Sequence, residues 1–512
     1  MKKNDIDIRI TGLDFRQDVE PLIKEFFPGF RYTNDVEIDI RTGETFLEIR
    51  VDGQDPVREE INSAPLPDGD LTSDLPAQQS DCDRTSGGQE PQSDGDRKIW
   101  HRNYRNQLLR ALYRELSRYT GRTLPWGILT GVRPTKLLFE RIARGEAQPL
   151  QYMAENYYVS PEKASLAARI AATEYRLLNE LDYRHGYSLY VGIPFCPSIC
   201  NYCTFGSHPI GTFRDYVKPY IEALSKEIRV CSDFFARKYP GLELQTVYFG
   251  GGTPTSLSTE DLRTVIRNVK DSFPVENAKE FTVEAGRPDS ITRDKLEMLR
   301  EEGIGRISIN PQTFVDKTLE IIGRNHTATQ VEEAFRLARE IGFDNINMDL
   351  IAGLTGEDEK DFEYTLGRIG SLMPDCITVH TLALKRASRL VTNPELYASS
   401  RGENEEDSVG AMLRMTGSFM KENGYEPYYM YRQKNMTGNL ENVGYSKPGK
   451  EGLYNILIME EVQPILALGA GASSKFIRKT DGRFGRVENV KNVREYIERI
   501  DEMTDRKLFS LW

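Results

Sequence analysis

The chain has no apolar run approaching the length of a bilayer-spanning helix, which excludes a helical integral membrane protein. Its first residues, Met1-Lys-Lys-Asn-Asp, lead into no secretory signal core, so export is not expected. Cysteine is scarce. Six thiols in 512 residues, three of them within eight positions, cannot make a disulfide framework, and the reducing cytoplasm is the expected compartment. Basic excess is missing as well: a net charge of −11 gives no broad cationic face to displace counterions, which argues against nucleic acid as the main partner. No fixed-period repeat is present, so a solenoid is excluded.

What is there divides into segments, as a chain of 512 residues must, since one ordinary core cannot hold it. Residues 1–53 predict a small α+β leader domain, with Ile6, Ile8 and Ile10 alternating as a strand and Val19, Leu22, Ile23 and Phe26 at helical spacing. Residues 54–97 are Asp, Ser, Gly, Pro and Gln with scarcely an aromatic. Such a stretch buries too little apolar area to offset its ordering entropy and predicts a disordered low-complexity insertion, with Cys82 as an idle thiol inside it. Residues 98–186 predict helices, on a stripe of Tyr104, Leu108, Leu109, Leu112 and Leu116 and a second run over 161–182. Between them lies Leu124-Pro-Trp-Gly-Ile-Leu-Thr-Gly-Val-Arg133-Pro-Thr-Lys136, readable as a structural loop or as a place where Arg133 and Lys136 meet an anion.

From 187 to 395 strand and helix patterns alternate, the sequence form of repeated βα units on a parallel sheet, with strands near 188–193, 245–249, 280–284, 305–310, 344–350 and 376–381. One face of these strands is apolar throughout. The other carries Tyr190, Tyr248, Thr282, Glu284, Ser308, Asn310, Asn345, Asn347, Asp349, Thr378 and His380. A closed eight-stranded barrel fills its interior with branched apolar side chains. Six strands with a polar inner face predict instead an open α/β partial barrel, (β/α)6, whose lumen holds a polar ligand. The plainer alternative is that these polar groups bond one another. Cys231 continues a helical apolar stripe and is expected in the core. Residues 396–512 predict a C-terminal α/β extension on the substrate side, carrying Tyr425-Glu-Pro-Tyr-Tyr-Met-Tyr431-Arg432-Gln433-Lys434-Asn435 and Leu468-Gly-Ala-Gly-Ala-Ser-Ser-Lys475.

The chemistry centres on Cys196-Pro-Ser-Ile-Cys200-Asn-Tyr-Cys203, which follows the first barrel strand. Three thiolates at this C-x3-C-x2-C spacing can cap three corners of a cubane iron–sulfur cluster and leave the fourth iron open to bind something else. A zinc site would need a fourth ligand such as His208, and no second cysteine pair exists to make a knuckle. Tyr248-Phe-Gly250-Gly251-Gly252-Thr253-Pro-Thr ends the second strand, where consecutive glycines let a ligand approach the backbone. Glu284 ends the third strand as an acceptor for hydroxyls. Gln312 follows the fourth, and Arg324 is suited to a carboxylate. His380 ends the sixth, either as a core histidine or in a substrate or acid–base role.

The cysteine loop resembles the signature of the radical S-adenosylmethionine (SAM) enzymes. With Tyr190 and Ile193-Pro194-Phe195 before it, the loop resembles more narrowly that of the oxygen-independent coproporphyrinogen III oxidase family. The stretches Leu124–Lys136, Tyr431-Arg-Gln-Lys-Asn435 and Gly469-Ala-Gly-Ala with Lys475 look like its HemZ-type branch. The resemblance implies a [4Fe–4S] cluster on Cys196, Cys200 and Cys203, one or two SAM molecules, and SAM contacts from Tyr190, Tyr202, Gly251, Gly252, Thr253, Glu284, Gln312, Arg324, Asp349 and Ala383. It implies also a tetrapyrrole substrate and a low-potential electron donor such as flavodoxin or ferredoxin. Three departures stand out. Gly192 occupies the place of a histidine in the well-studied oxidases, and Phe205 that of their fourth cysteine. Glu441-Asn442 and Tyr445-Ser446 stand where the related haem chaperones carry His-Asn and Tyr-Trp.

Overall fold

In the computed structural model the alternating isoleucines make β1 (Ile6–Gly12), followed by α1 (Arg16–Phe26), β2 (Val36–Thr42), β3 (Phe46–Val51) and β4 (Val57–Glu60). The model describes residues 6–27, 36–43, 46–61, 94–131, 133–146, 148–204, 206–383, 405–432, 440–477 and 484–510. β1 and β2 run parallel and the other pairs antiparallel, in the order β1-β2-β3-β4. Val19, Leu22, Ile23 and Phe26 of α1 are buried. The chain divides into two compact units, Met1–Ala168 and Arg169–Trp512.

The expected disordered insertion is too wide at both ends. Residues 57–60 are an edge strand, because Val57 lies opposite Ile49 and Glu60 opposite Phe46, so the ladder continues past the polar composition. At the other end α2 (Asp94–Thr120) begins inside the stretch. Cys82 lies outside the described residues. The expected stripe on α2 is buried from Tyr104 to Leu116, and Leu124, Trp126 and Ile128 are buried too, so the apolar part of that turn-rich stretch is core. α3 (Thr135–Ala143), α4 (Pro149–Tyr157) and α5 (Pro161–Glu180) follow, and α5 crosses the boundary between the units.

The second unit is built on β5 (Gly186–Ile193). Two short strands, β6 (Phe195–Cys196) and β7 (His208–Pro209), frame the cysteine loop. Then come α6 (Arg214–Lys238), β8 (Glu243–Gly251), α7 (Thr259–Ser272), β9 (Glu280–Gly286), α8 (Arg293–Glu301), β10 (Arg306–Ile309), α9 (Asp316–Ile321), α10 (Ala328–Ile341), β11 (Ile346–Ala352), α11 (Glu359–Leu372) and β12 (Cys376–Thr381). Six strands, β5 and β8 to β12, pair in parallel as neighbours, as a βα repeat requires. On the outward face Leu189, Val191, Ile193, Val247, Val283, Ile307, Met348 and Ile377 are fully buried. At about 1.5–3 kcal/mol for each such side chain, this face holds the sheet on its helices.

Among the described residues the C-terminal strands join the same sheet and form none of their own. β13 (Glu426–Tyr431) and β14 (Asn442–Ser446) extend the sheet beyond β12, while β15 (Ile465–Leu468), β16 (Ser473–Ile477) and β17 (Phe484–Glu488) extend it beyond β5. β15 is parallel to β5, with Leu468 opposite Val191, while β14 is antiparallel to β12. The result is one open sheet of eleven strands, a partial barrel. Sequence alternation could not place these strands, since nothing local in them names a partner.

Candidate cofactor site

The cysteine loop is anchored by backbone pairing at three places. β6 pairs with β7, where His208 N–H donates to Pro194 O (2.7 Å) and Ile210 N–H to Cys196 O (2.9 Å). The glycine segment after β8 pairs with it as well: Gly252 N–H donates to Ile193 O and Thr253 N–H to Phe195 O, both at 2.7 Å. A Cβ on Gly252 would stand 2.5 Å from Phe195 O and 3.0 Å from Cys196 Sγ, so only glycine lets these strands approach. Finally, the turn after α9 staples the loop, with Asn201 N–H on Ile322 O (2.9 Å), Asn201 Nδ2 on Ile321 O (2.7 Å) and Ser198 Oγ on Gly323 O (3.1 Å).

Around the thiols the donors are few and specific. Thr253 Oγ1 donates to Cys196 Sγ at 3.5 Å and Arg287 Nη1 to Cys200 Sγ at 3.8 Å, and the turn closes with Cys203 N–H on Cys200 O (3.1 Å). Burial raises the Cys196 thiol above its ordinary value, opposed by the Thr253 hydroxyl. Among the described residues no three His, Cys, Asp or Glu side chains close on a single metal ion.

The polar strand ends converge beside the loop. Tyr190, Tyr248 and Tyr454 stack, with ring centroids 6.2 Å apart between Tyr190 and each partner and 4.5 Å between Tyr248 and Tyr454. Tyr248 OH donates to Glu284 Oε1 at 2.6 Å. Burial pushes the Glu284 carboxyl up to about 7 against the pull of that hydroxyl, and the nearby Asp349 adds to the rise. Gln312 is buried with φ 69°, a left-handed conformation that costs a non-glycine residue about 1–2 kcal/mol. It is held there by Gln312 N–H on Asp349 O (2.9 Å) and Ile351 N–H on Gln312 O (3.0 Å). Its side-chain Oε1 is buried and without a partner. So is Nε of the buried Arg324, whose other nitrogens donate to Asn310 O and to Tyr202 OH (3.3 Å). An acceptor and a cationic donor kept dry, each with an unmatched atom, fit a ligand bearing both an ammonium and a carboxylate.

Further along the sheet, part of the polar face does bond to itself. Asn347 Nδ2 donates to Ser308 Oγ (3.0 Å) and Asp349 Oδ1 (2.8 Å), and Thr378 Oγ1 to Asn347 Oδ1 (3.1 Å). Burial works against the Asp349 charge, yet His380 and these amide and hydroxyl groups hold it below the usual carboxylate range. His380 lies between Asp349 (Nε2 to Oδ2, 3.8 Å) and Tyr431 OH (3.2 Å from Nδ1). Ala383 follows β12, half-buried.

Other expectations land elsewhere. Lys475 pairs with Glu461 (3.0 Å), Cys231 is buried on α6, and Gln433, Lys434 and Asn435 lie outside the described residues. Two site neighbours escaped the sequence reading. Tyr454 comes from a helix 206 residues after Tyr248 in the chain, and no local pattern marks it. Arg287 follows Gly286 (φ 46°) in a Gly-Arg-Pro turn at the end of β9, a strand-end position that could have drawn notice.

A family model for the radical SAM superfamily matches residues 190–369. The chain is 44% identical over 398 residues to the oxygen-independent coproporphyrinogen-III oxidase-like protein HemZ of Bacillus subtilis, covering 77% of this chain and 78% of that one. It belongs to the radical SAM superfamily, in the HemZ-type branch of the oxygen-independent coproporphyrinogen III oxidase family. It is also 33% identical to the heme chaperone HemW of Bacillus subtilis over 62% of this chain and 76% of the other. Among solved structures, coproporphyrinogen III oxidase (HemN) from Escherichia coli shares the fold, with a TM-score of 0.50 at 23% identity over 65% of this chain and 73% of that chain. As a radical SAM protein its cofactors are a [4Fe–4S] cluster and SAM. The three thiols and the unmatched Gln312 and Arg324 groups fit that pair.

Proposed function

We propose that this protein catalyses the oxygen-independent oxidative decarboxylation of coproporphyrinogen III to protoporphyrinogen IX in the cytoplasm. The observation that carries the reading is the extent of the similarity to the oxidase-like HemZ protein, 398 residues, more than twice the stretch matched by the radical SAM model itself. When bound, the cluster and SAM supply a 5′-deoxyadenosyl radical, generated with one electron from a low-potential donor such as flavodoxin or ferredoxin. The chain's own residues do the rest. Cys196, Cys200 and Cys203 hold three irons. Arg324 takes the SAM carboxylate, and the segment Gly251, Gly252 and Thr253 takes its ammonium through the Gly251 and Gly252 carbonyls, since the Gly252 and Thr253 N–H groups already serve Ile193 and Phe195 and Thr253 O accepts from Ser256 N–H. Glu284 receives the ribose hydroxyls, while Tyr190, Tyr202, Gln312, Asp349 and Ala383 complete the wall. His380, poised between Asp349 and Tyr431, orients the substrate side. From each reacting propionate a hydrogen atom would pass to the 5′-deoxyadenosyl radical, and CO2 and one electron, taken up by an external electron acceptor, would then leave a vinyl group.

A second reading, a haem carrier on the same fold, is favoured by the similarity to the heme chaperone. One anaerobic experiment separates them: reconstituted protein with SAM and reductant is given coproporphyrinogen III in one vessel and haem in another. Vinyl-bearing product in the first supports the oxidase. SAM cleavage without any vinyl product sinks it, and stoichiometric haem binding and transfer with no decarboxylation puts the carrier in its place.

A further inference from the structure

Arg287 lies outside the residues assigned above, yet it touches a cluster thiol. Its guanidinium is buried, 3% exposed. Nε and Nη2 grip both oxygens of Asp289 at 2.9 and 2.7 Å, a fork that fixes the plane of the group. Nη1 is thereby aimed at the cysteine loop, where it donates to Ser198 Oγ (2.9 Å), Ser198 O (3.2 Å) and Cys200 Sγ (3.8 Å). The three thiols are thus not equivalent. Cys196 receives a neutral hydroxyl from Thr253, whereas Cys200 faces a fixed cation. Arg324, from the turn after α9, bears on Cys200 as well.

A positive donor against a cluster sulfur stabilises the state that carries the extra electron more than the state that lacks it. Hydrogen bonds to the sulfurs and the net charge nearby are among the quantities that set a cluster's potential, and in a dry site such a charge is weakly screened. We infer that Arg287, oriented by Asp289, is a positioning residue that raises the reduction potential of the cluster held by Cys196, Cys200 and Cys203, with Asp289 as the counter-charge that limits the rise. This rests on the radical SAM assignment. The step concerned is a one-electron reduction in which no bond is made or broken and the electron comes from the low-potential donor.

The test is a mediated redox titration of anaerobically reconstituted full-length protein, followed by the paramagnetic signal of the reduced cluster, with no substrate present. Arg287→Met should shift the midpoint to more negative values and Arg287→Lys should lie between it and the wild type. Asp289→Asn removes the charge and keeps one of the two oxygens that grip Arg287, with Ser198 still holding Nη1, and should shift the midpoint the other way. A residue that only staples the loop cannot produce opposite shifts, so shifts of one sign, or none in variants with full iron content, overturn the inference. If Arg287→Met fails to load iron, Asp289→Asn decides alone. A wild-type chain that takes up no four-iron cluster overturns the cofactor assignment itself, and this inference with it.

Discussion

Glu284 is a single side chain whose burial weighs on the stability of the fold. Burial places its carboxyl at about 7, above the usual carboxylate range, so the folded chain binds a proton that the unfolded chain releases. Its contribution to stability is therefore full below the unfolded value near 4.5 and is lost as the pH rises through about 7. Glu284→Gln removes that penalty. At pH 8 the variant without cofactors is expected to be more stable than the wild type by something on the order of 1–3 kcal/mol, and equal to it near pH 4, as read from urea midpoints. The same variant should bind SAM more weakly, and the wild type's affinity should strengthen between pH 6 and 8 while the variant's does not. Equal stability at both pH values would mean that the carboxyl is not held neutral. His380 and Asp349 form the opposite case, a pair in which Asp349 stays ionised, and His380→Ala is expected to slow turnover more than it weakens SAM binding.

Among the elements, the close pairing of the glycine segment with the cysteine loop makes a sharp expectation. Gly252→Ala inserts a methyl group 2.5 Å from Phe195 O and 2.9 Å from Ile193 O, both backbone atoms that cannot turn aside. The protein should fold, because β5 and β8 remain paired below the contact, yet its iron and sulfide content after reconstitution should fall several-fold. On the other flank, Glu227 of α6 is wholly buried and binds Lys507 Nζ (2.6 Å), Asn489 Nδ2 (2.8 Å), Tyr496 OH (2.6 Å) and the Gly469 N–H (2.8 Å). Burial opposes its charge, but Lys507 and these donors hold the carboxyl below its usual range. Glu227→Ala strands a buried ammonium and should cost about 3–5 kcal/mol, whereas pairing Glu227→Gln with Lys507→Met should recover much of it. The thiols and the glycine segment could be proposed from local spacing and Glu284 from its strand end, while Gln312 and Arg324 were singled out with the help of the family resemblance. Glu227 was not. Its partners lie more than 200 residues away, and a helical Glu looks the same in sequence whether it faces water or Lys507. The same reason hid Tyr454, whereas Val57-Arg-Glu-Glu was hidden by its polar composition although its partner strand is close by in sequence.

For the molecule as a whole, the decisive fact is that late strands complete both sides of the sheet. A chain ending at residue 432 would keep all six parallel strands but lose β15 beside β5 and β14 beside β12. Two bare edges of an apolar sheet invite aggregation, and such a fragment is expected to be insoluble or to lack a cooperative unfolding transition by circular dichroism. By contrast, a chain starting at Ser160 keeps the second unit entire and should still take up iron. The order of synthesis adds a consequence. β5, which leads into the cysteine loop, leaves the ribosome long before its neighbour β15 exists, a wait of some tens of seconds at about 5–20 residues per second. The partners that staple the cysteine loop are all made by residue 323, so what waits for β15 is the edge of β5 and not the cradle, and a stalled chain should carry an open strand edge rather than an unformed loop.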